Sequence, residues 1–224
     1  MNLKNIFKIK FSIVIIAVLL FFSFGKCEDL TIARLKYGGG GDWYSNPGSL
    51  SNLMNFIEDN TNLNMANDPS IVDIDSPELF SYHYLYMNGH GNVYFSEDEV
   101  KRLRFYLENG GFLHADDNYG MDKSFRREIK KVFPDKELVE LPFSHSVYHS
   151  VFEFPKGLPK VHEHDGKPPQ GFGIFHNKKL VVFYTYECDL GDGWEDAEVH
   201  HDPLAIRIAA LKMGTNIYYY HLEE

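Results

Sequence analysis

The sequence predicts one α/β domain with a largely parallel sheet and helices on both faces. Two observations carry that class. Segments with helical spacing of apolar residues alternate along the chain with short apolar or β-branched runs, and no tandem repeat or low-complexity linker divides it. Behind a leader, the 224 residues leave about 200 for one domain, enough to bury roughly 70% of its unfolded surface.

The leader comes first. Lys4, Lys8 and Lys10 precede an apolar stretch from Phe11 to Gly25. That stretch falls short of the roughly 20 residues that span a bilayer, and with its basic flank residues 1–27 read as a secretory signal peptide. Small residues in Ser23-Phe24-Gly25 and in Gly25-Lys26-Cys27 leave two cleavage positions open. An uncleaved anchor and a lipid-modified Cys27 are the alternatives. The expected location is periplasmic or extracellular, with no stable membrane insertion once the signal is removed. Cys27 and Cys188 are the only cysteines, so an exported context brings no disulfide framework.

The remaining elements follow in order. Thr31 to Tyr37 is the first strand run. Asn46 as cap and Pro47 as first residue open a helix with Leu50, Leu53, Met54 and Ile57 on one face. Strand runs at Ile71 to Ile74 and Tyr82 to Met87 come next. Ser96 and Glu99 then form a capping box ahead of Val100, Leu103 and Leu107, and Gly110-Gly111 stops that helix. Phe112 to Ala115 is the most apolar strand. Asp122 caps a third helix, with Phe125, Ile129, Val132 and Phe133 aligned and Pro134 ending it. Glu137 to Leu141 and Leu180 to Tyr186 are further strands. Asp202-Pro203 opens a last helix with the stripe Leu204, Ile208 and Leu211. Gly214 closes it, and Ile217 to Tyr220 is expected as a half-buried strand. All four helices are expected to be amphipathic surface helices.

In open sheets of this class, ligands bind outside the carboxyl ends of the strands. The loops expected there are GGGGDWYSN, NGHGN, HADDNYGMD and ECDLGDGWED. Their glycine, acid, His and Trp density contrasts with the opposite end, so chemistry is expected on one edge. The ligand-binding candidates are Gly39, Gly40, Asp42, Trp43, Asn118, Asp192 and Trp194; the catalytic candidates are His90, Asp116, Asp117, Glu187 and Asp189. Gly38 to Gly41 frees the backbone to approach a ligand or an anion, or makes a merely tight turn; it has neither a P-loop lysine nor dinucleotide-fingerprint spacing. Asp116 and Asp117 point opposite ways on an extended chain, so one can face the cleft while the other caps a turn.

His162 and His164, at i and i+2 in HEHDGKPPQGFG, share a face of an extended segment and suit a divalent metal. Further ligands would come from His90, Asp116, Asp117, Glu187 or Asp189; the alternative is a hydrogen-bonded polar loop. Asp189, Asp192 and Asp196 do not fit a helix-loop-helix calcium site. His200-His201 is assigned to capping or solvent contact. Cys188 is either a small residue at a strand end or a nucleophile.

Charge narrows the partners. The chain carries 22 Lys and Arg against 32 Asp and Glu, a net of −10; the first 26 residues hold four of the lysines and no acid, leaving −14 for the rest. Phosphate backbones are held by clustered cations, so nucleic acid is excluded as partner, and anionic lipid surfaces would repel the domain. A small polar ligand or carbohydrate fits better.

Five strings, RLKYGGGGDWY, LYMNGHGNVYFS, LENGGFLHADDNYGMDKSFRRE, HEHDGKPPQGFG and VVFYTYECDLGDGWED, resemble the bacterial domain-of-unknown-function family 4159, from Ile32 to the C-terminus. That family is similar in turn to trehalose-utilisation-type domains of the class I glutamine amidotransferase-like superfamily. The resemblance implies a flavodoxin-like three-layer α/β/α sandwich. Amidotransferases place a Cys between glycines on the turn after a central strand; the corresponding turn here, His114-Ala115-Asp116-Asp117-Asn118, has no Cys or Ser, so a glutaminase is not expected. The expected function is an exported hydrolase, metal-assisted, acting on a polar, carbohydrate-like substrate. The alternative is a non-catalytic module that binds a ligand or envelope partner through Trp43, Trp194 and His90.

Overall fold

The structure is a computed structural model and describes residues 30–223; the expected signal segment and Cys27 lie outside them. Seven strands form one sheet: β1 (Ala33–Lys36), β2 (Ser70–Asp73), β3 (Tyr84–Gly89), β4 (Phe112–Asp117), β5 (Val139–Glu140), β6 (Gln170–His176) and β7 (Lys179–Tyr186). Their order is β2-β1-β3-β4-β7-β6-β5. The pairs β1–β2, β1–β3, β3–β4 and β4–β7 are parallel, whereas β6 runs antiparallel to both β7 and β5. The carboxyl ends of β1, β3, β4 and β7 therefore share one edge.

Alternation along the strands separates two cores. Tyr84, Tyr86, Phe112 and Phe183 face helices α1 (Ser49–Asn60) and α6 (Leu204–Glu223) with the short α4 (Leu190–Trp194). Leu85, Met87, Leu113, Ala115 and Val182 face α2 (Glu97–Glu108) and α3 (Asp122–Val132). The result is three layers, as the alternation of elements predicts. The short α5 (Ala197–His200) completes the set.

Local chemistry explains most boundaries. Ser96 Oγ accepts from Glu99 N while Glu99 Oε2 accepts from Ser96 N at 2.6 Å, the expected capping box. Two expected caps are used differently. The first helix begins at Ser49 rather than Pro47, and Asn46 takes a left-handed φ of 52°. Asp122 is the first residue of α3 and makes no capping bond; it receives Arg126 Nε at 2.5 Å and Tyr184 Oη at 3.0 Å.

One strand goes beyond the expected runs, and two expectations near the C-terminus are corrected. Strand β6 lies in GFGIFH, where glycines and a histidine hide the β pattern; a Cβ at Gly173 would fall 3.1 Å from Leu141 Cδ2 and one at Gly171 2.9 Å from Phe183. It turns into β7 through Asn177 and Lys178, both at positive φ, the backbone a tight hairpin requires. The last helix does not stop at Gly214, and Ile217 to Tyr220 are helical, not a strand. Their β propensity yields to packing: Ile217, Tyr218 and Tyr220 are buried. Asn216 on the same turn clamps the segment before β6, accepting from Phe152 N at 2.8 Å and donating to Phe152 O at 2.7 Å. The second half of α6 is thus core rather than an amphipathic surface. Among the described residues no helix is long and apolar enough to cross a membrane.

Gly214 is where α6 meets Trp194 and Leu53, whose atoms lie 2.8 and 2.7 Å from where a Cβ would stand. Helix propensity alone would make Gly214→Ala stabilising by about 1 kcal/mol. Overpacking outweighs it, and the variant is expected to lose about 1–3 kcal/mol in urea unfolding. A stabilised variant would show that the core yields at this contact.

Candidate functional site

The carboxyl edge is organised from β1 by Arg34, only 5% exposed. Its guanidinium donates to Ser45 O and Asn88 Oδ1, both at 2.7 Å, to Asn46 O at 2.9 Å and to Ser49 Oγ at 3.2 Å. Segment 43–49 is thereby wrapped around one planar fork. Arg34 is a residue that the sequence analysis missed; its signal was a cation inside the first apolar run.

The glycine run packs two loops together. Gly41 N donates to Asn92 O at 3.0 Å and Tyr94 N to Gly38 O at 2.9 Å. A Cβ on Gly39, at φ 105°, would fall 2.8 Å from Asn92 O and Tyr94 N, whereas Gly40 faces open space. Of the two readings of these glycines, Gly39 fits the tight turn and Gly40 alone stays open to a ligand. Asp42 holds His90 at the rim, accepting from the His90 backbone N–H and lying 3.0 Å from Nδ1. Trp43 is half-buried and meets the exposed Tyr44 edge to face at 5.5 Å.

At the end of β4, Asp116 and Asp117 do point opposite ways. Asp117 accepts from Met121 N at 2.9 Å and shapes the turn into α3. Asp116 is fully buried and ties three elements, taking Thr185 Oγ1 from β7 at 2.5 Å, Gly191 N from α4 at 2.7 Å and Tyr86 Oη from β3 at 3.3 Å. Burial pushes its carboxyl up to about 6 despite the hydroxyl and amide donors, with Asp192 and Asp117 adding to the rise. Behind it, His114 bridges Tyr84 Oη and Thr185 Oγ1 at 3.1 Å each and is driven down to about 3 by burial, so its ring is neutral.

The segment after β7 adopts left-handed φ at Glu187 (58°) and Asp189 (53°) before α4 begins. Glu187 is buried and meets Lys160 Nζ at 3.5 Å. Asp189 is fully buried, and burial followed by Asp116 and Asp192 raises its carboxyl to about 8. Asp192 receives Asn46 Nδ2 at 2.5 Å and the Asn118 side-chain amide. Cys188 is buried beside Asp116, and desolvation holds its thiol protonated, so the nucleophile reading is set aside.

The histidines complete the arrangement. His162 Nδ1 lies 2.9 Å from Asp192 Oδ2 and 3.5 Å from Asp189 Oδ2, and its Nε2 lies 3.1 Å from Asp202 Oδ1. His164 pairs with Asp189 through Nε2 and stacks on Tyr119 at 4.5 Å. His200, assigned from sequence to capping or solvent contact, faces Asn46 Oδ1 at 2.9 Å and Asp192 Oδ1 at 3.9 Å. His162, Asp192 and His200 place ligand atoms within 4.8 Å of one another.

The structure thus brings Asp116, Asn118, Asp189, Asp192, His162 and His164 to one place, whereas Glu187 turns to Lys160 and Asp42 pairs with His90. Trp194 is a correction: it is fully buried, donates Nε1–H to Ala210 O at 2.8 Å, and supports α4 from beneath instead of forming a recognition surface.

Fold and edge together define an α/β protein with a largely parallel sheet and an acid- and histidine-rich carboxyl end. The chain belongs to the family described as Domain of unknown function (DUF4159), which it matches over residues 31–222. Comparison with curated proteins found no match.

Asp116 generates a pH prediction. Its proton is held more tightly in the folded chain than at the ordinary value of 3.8, so its contribution to stability is complete below about pH 4 and lost as pH rises through about 6. Two units correspond to about 3 kcal/mol. The stability of Asp116→Asn relative to wild type is therefore expected to rise by about that amount between pH 4 and 7, read by urea unfolding at stepped pH. A difference independent of pH would refute the buried-carboxyl assignment.

Proposed function

We propose that the protein is exported and that its carboxyl edge is the centre of a hydrolase acting on a polar, carbohydrate-like substrate. The supporting observation is the pair His164–Asp189 beside His162 and Asp192, with both histidine side chains only partly covered, at 22% and 28% exposure. Asp189 orients the His164 ring through Nε2, leaving Nδ1 to take a proton from water and return it to the leaving oxygen. A divalent cation at the neighbouring donors would supply hydroxide at neutral pH. The basic, apolar leader supports export to the periplasm or beyond.

We place the fold with the flavodoxin-like sandwiches, and by kinship with the trehalose-utilisation and class I glutamine amidotransferase-like domains. In support, the parallel strands stand in the order 2-1-3-4-5 when β7 is counted as the fifth. The activity is not that of a glutaminase, because Asp116, Asp117 and Asn118 occupy the turn where a nucleophile would stand and Cys188 is buried.

A second reading, a ligand- or envelope-partner-binding module without turnover, draws on Trp43 and the 64% exposed Tyr44 beside the Asp42–His90 rim. A panel of chromogenic glycosides and O-acetylated sugars separates the two. Turnover that drops by about 100-fold or more in His164→Gln is expected. Calorimetric binding of the same sugars with no turnover would replace the enzyme by the binding module.

A further inference from the structure

We infer that His162, Asp192 and His200 form a binding site for a first-row transition-metal dication such as zinc, distinct from the His162–His164 chelate that the i, i+2 spacing suggests. In the tetrahedral geometry usual for zinc, with bonds of about 2.1 Å, ligand atoms stand about 3.4 Å apart. Here His162 Nδ1 and Asp192 Oδ2 are 2.9 Å apart, and His200 Nε2 and Asp192 Oδ1 3.9 Å. All three donors lie within 4.8 Å of one another. His164 instead commits Nε2 to Asp189, and its ring centroid is 6.3 Å from that of His162.

The surroundings independently point to a cation. Asp189 Oδ1 and Asn118 Oδ1, on side chains 0% and 1% exposed, have no hydrogen-bond partner, and neither does Asp202 Oδ2. Each belongs to a side chain whose other polar atom touches the cluster: Asp189 and Asp202 at His162, Asn118 at Asp192. Buried oxygens without donors cost free energy that a cation and its bound water would recover. Asp202 also occupies the position of an outer partner, taking Nε2–H of His162 so that Nδ1 keeps its lone pair for a metal. Asn46 Oδ1 lies 2.9 Å from His200 Nε2, and a cation bound at Nε2 would replace the proton shared there. Two imidazoles among the donors select zinc, cobalt or nickel over magnesium and calcium, which take oxygen ligands.

This deepens the hydrolytic reading by specifying its cation, and the two fail separately. Purified protein stripped by chelation is titrated with zinc by calorimetry and with cobalt by visible absorption. One equivalent is expected to bind each. Affinity should fall by more than about 100-fold in His162→Ala and in His200→Ala, and by about 10–100-fold in Asp202→Asn. It should stay within a few-fold of wild type in His164→Gln. The two histidines are partly exposed, so their variants are expected to keep the wild-type circular dichroism. No stoichiometric metal, or wild-type affinity in His200→Ala, overturns the site; loss of affinity in His164→Gln but not in His200→Ala reinstates the i, i+2 chelate. Metal binding with this dependence but without hydrolysis would leave the site standing and remove the enzyme.

Discussion

The carboxyl edge depends on one interaction, the anchoring of α4 by Asp116. A carboxylate taken out of water costs several kcal/mol unless donors replace the solvent. Asp116 offsets only part of that cost with a hydroxyl from β7, an amide from α4 and a phenol from β3, and its raised proton affinity is the remainder. The hydrogen bond from Gly191 N fixes the first turn of α4 over the end of β4, and α4 carries Asp192 three residues beyond Asp189. Trp194 grips the same helix from the core side through Ala210. Held above and below, a five-residue helix that would not persist alone becomes a rigid platform for two carboxylates.

Strain is concentrated around that platform. Asn46, Tyr119, Glu187, Asp189 and His201 have positive φ, while the other non-glycine cases among the described residues, Asn177 and Lys178, belong to the β6–β7 hairpin at the other end. Left-handed backbone at such residues costs about 1–3 kcal/mol each and persists only where surrounding contacts impose it. Arg34 imposes it on Asn46 by gripping the backbone carbonyl, which sends the Asn46 side chain between Asp192 and His200. A buried guanidinium on β1 thus acts on a site built mainly by β4 and β7.

The fold was largely legible because periodicity is a local property: the capping box, the alternating strands and the placing of loops at one edge needed no knowledge of distant contacts. Where distant contacts decide, the reading stopped. Ile217 to Tyr220 carry strand-forming side chains yet lie in a helix because the core around Tyr84 and Phe112 takes them in. Gly171 and Gly173 conceal β6 because they make room for neighbours remote in sequence. At the site, His162, His164 and the acids were legible as types clustered in loops. The role of His200 was not, since its partners Asn46 and Asp192 are 154 and 8 positions away and meet only after Arg34 has folded the first loop back. Trp194 misled for the same reason: a Trp in an acid- and glycine-rich loop looks exposed until α6 is seen to cover it.

The charge balance of the chain also takes on a different meaning. An acidic domain ordinarily spreads its carboxylates through solvent, where they repel weakly and keep the protein soluble. Here Asp116, Asp117, Glu187, Asp189, Asp192 and Glu195 are all buried at one end of one sheet, and among the described residues Arg34 is the buried cation that accompanies them. Backbone amides account for several: Met121 N for Asp117, Gly191 N for Asp116, Gly48 N for Glu195. These are the carboxylates farthest from the histidines in role, since their oxygens are committed to holding loops and helix starts. Asp189 and Asp192 differ, receiving chiefly side-chain contacts from histidines and amides. Glu187 is likewise held by a side chain, Lys160, so among the acids bound to side chains rather than backbone it is the contact with His162, His164 and His200 that marks Asp189 and Asp192.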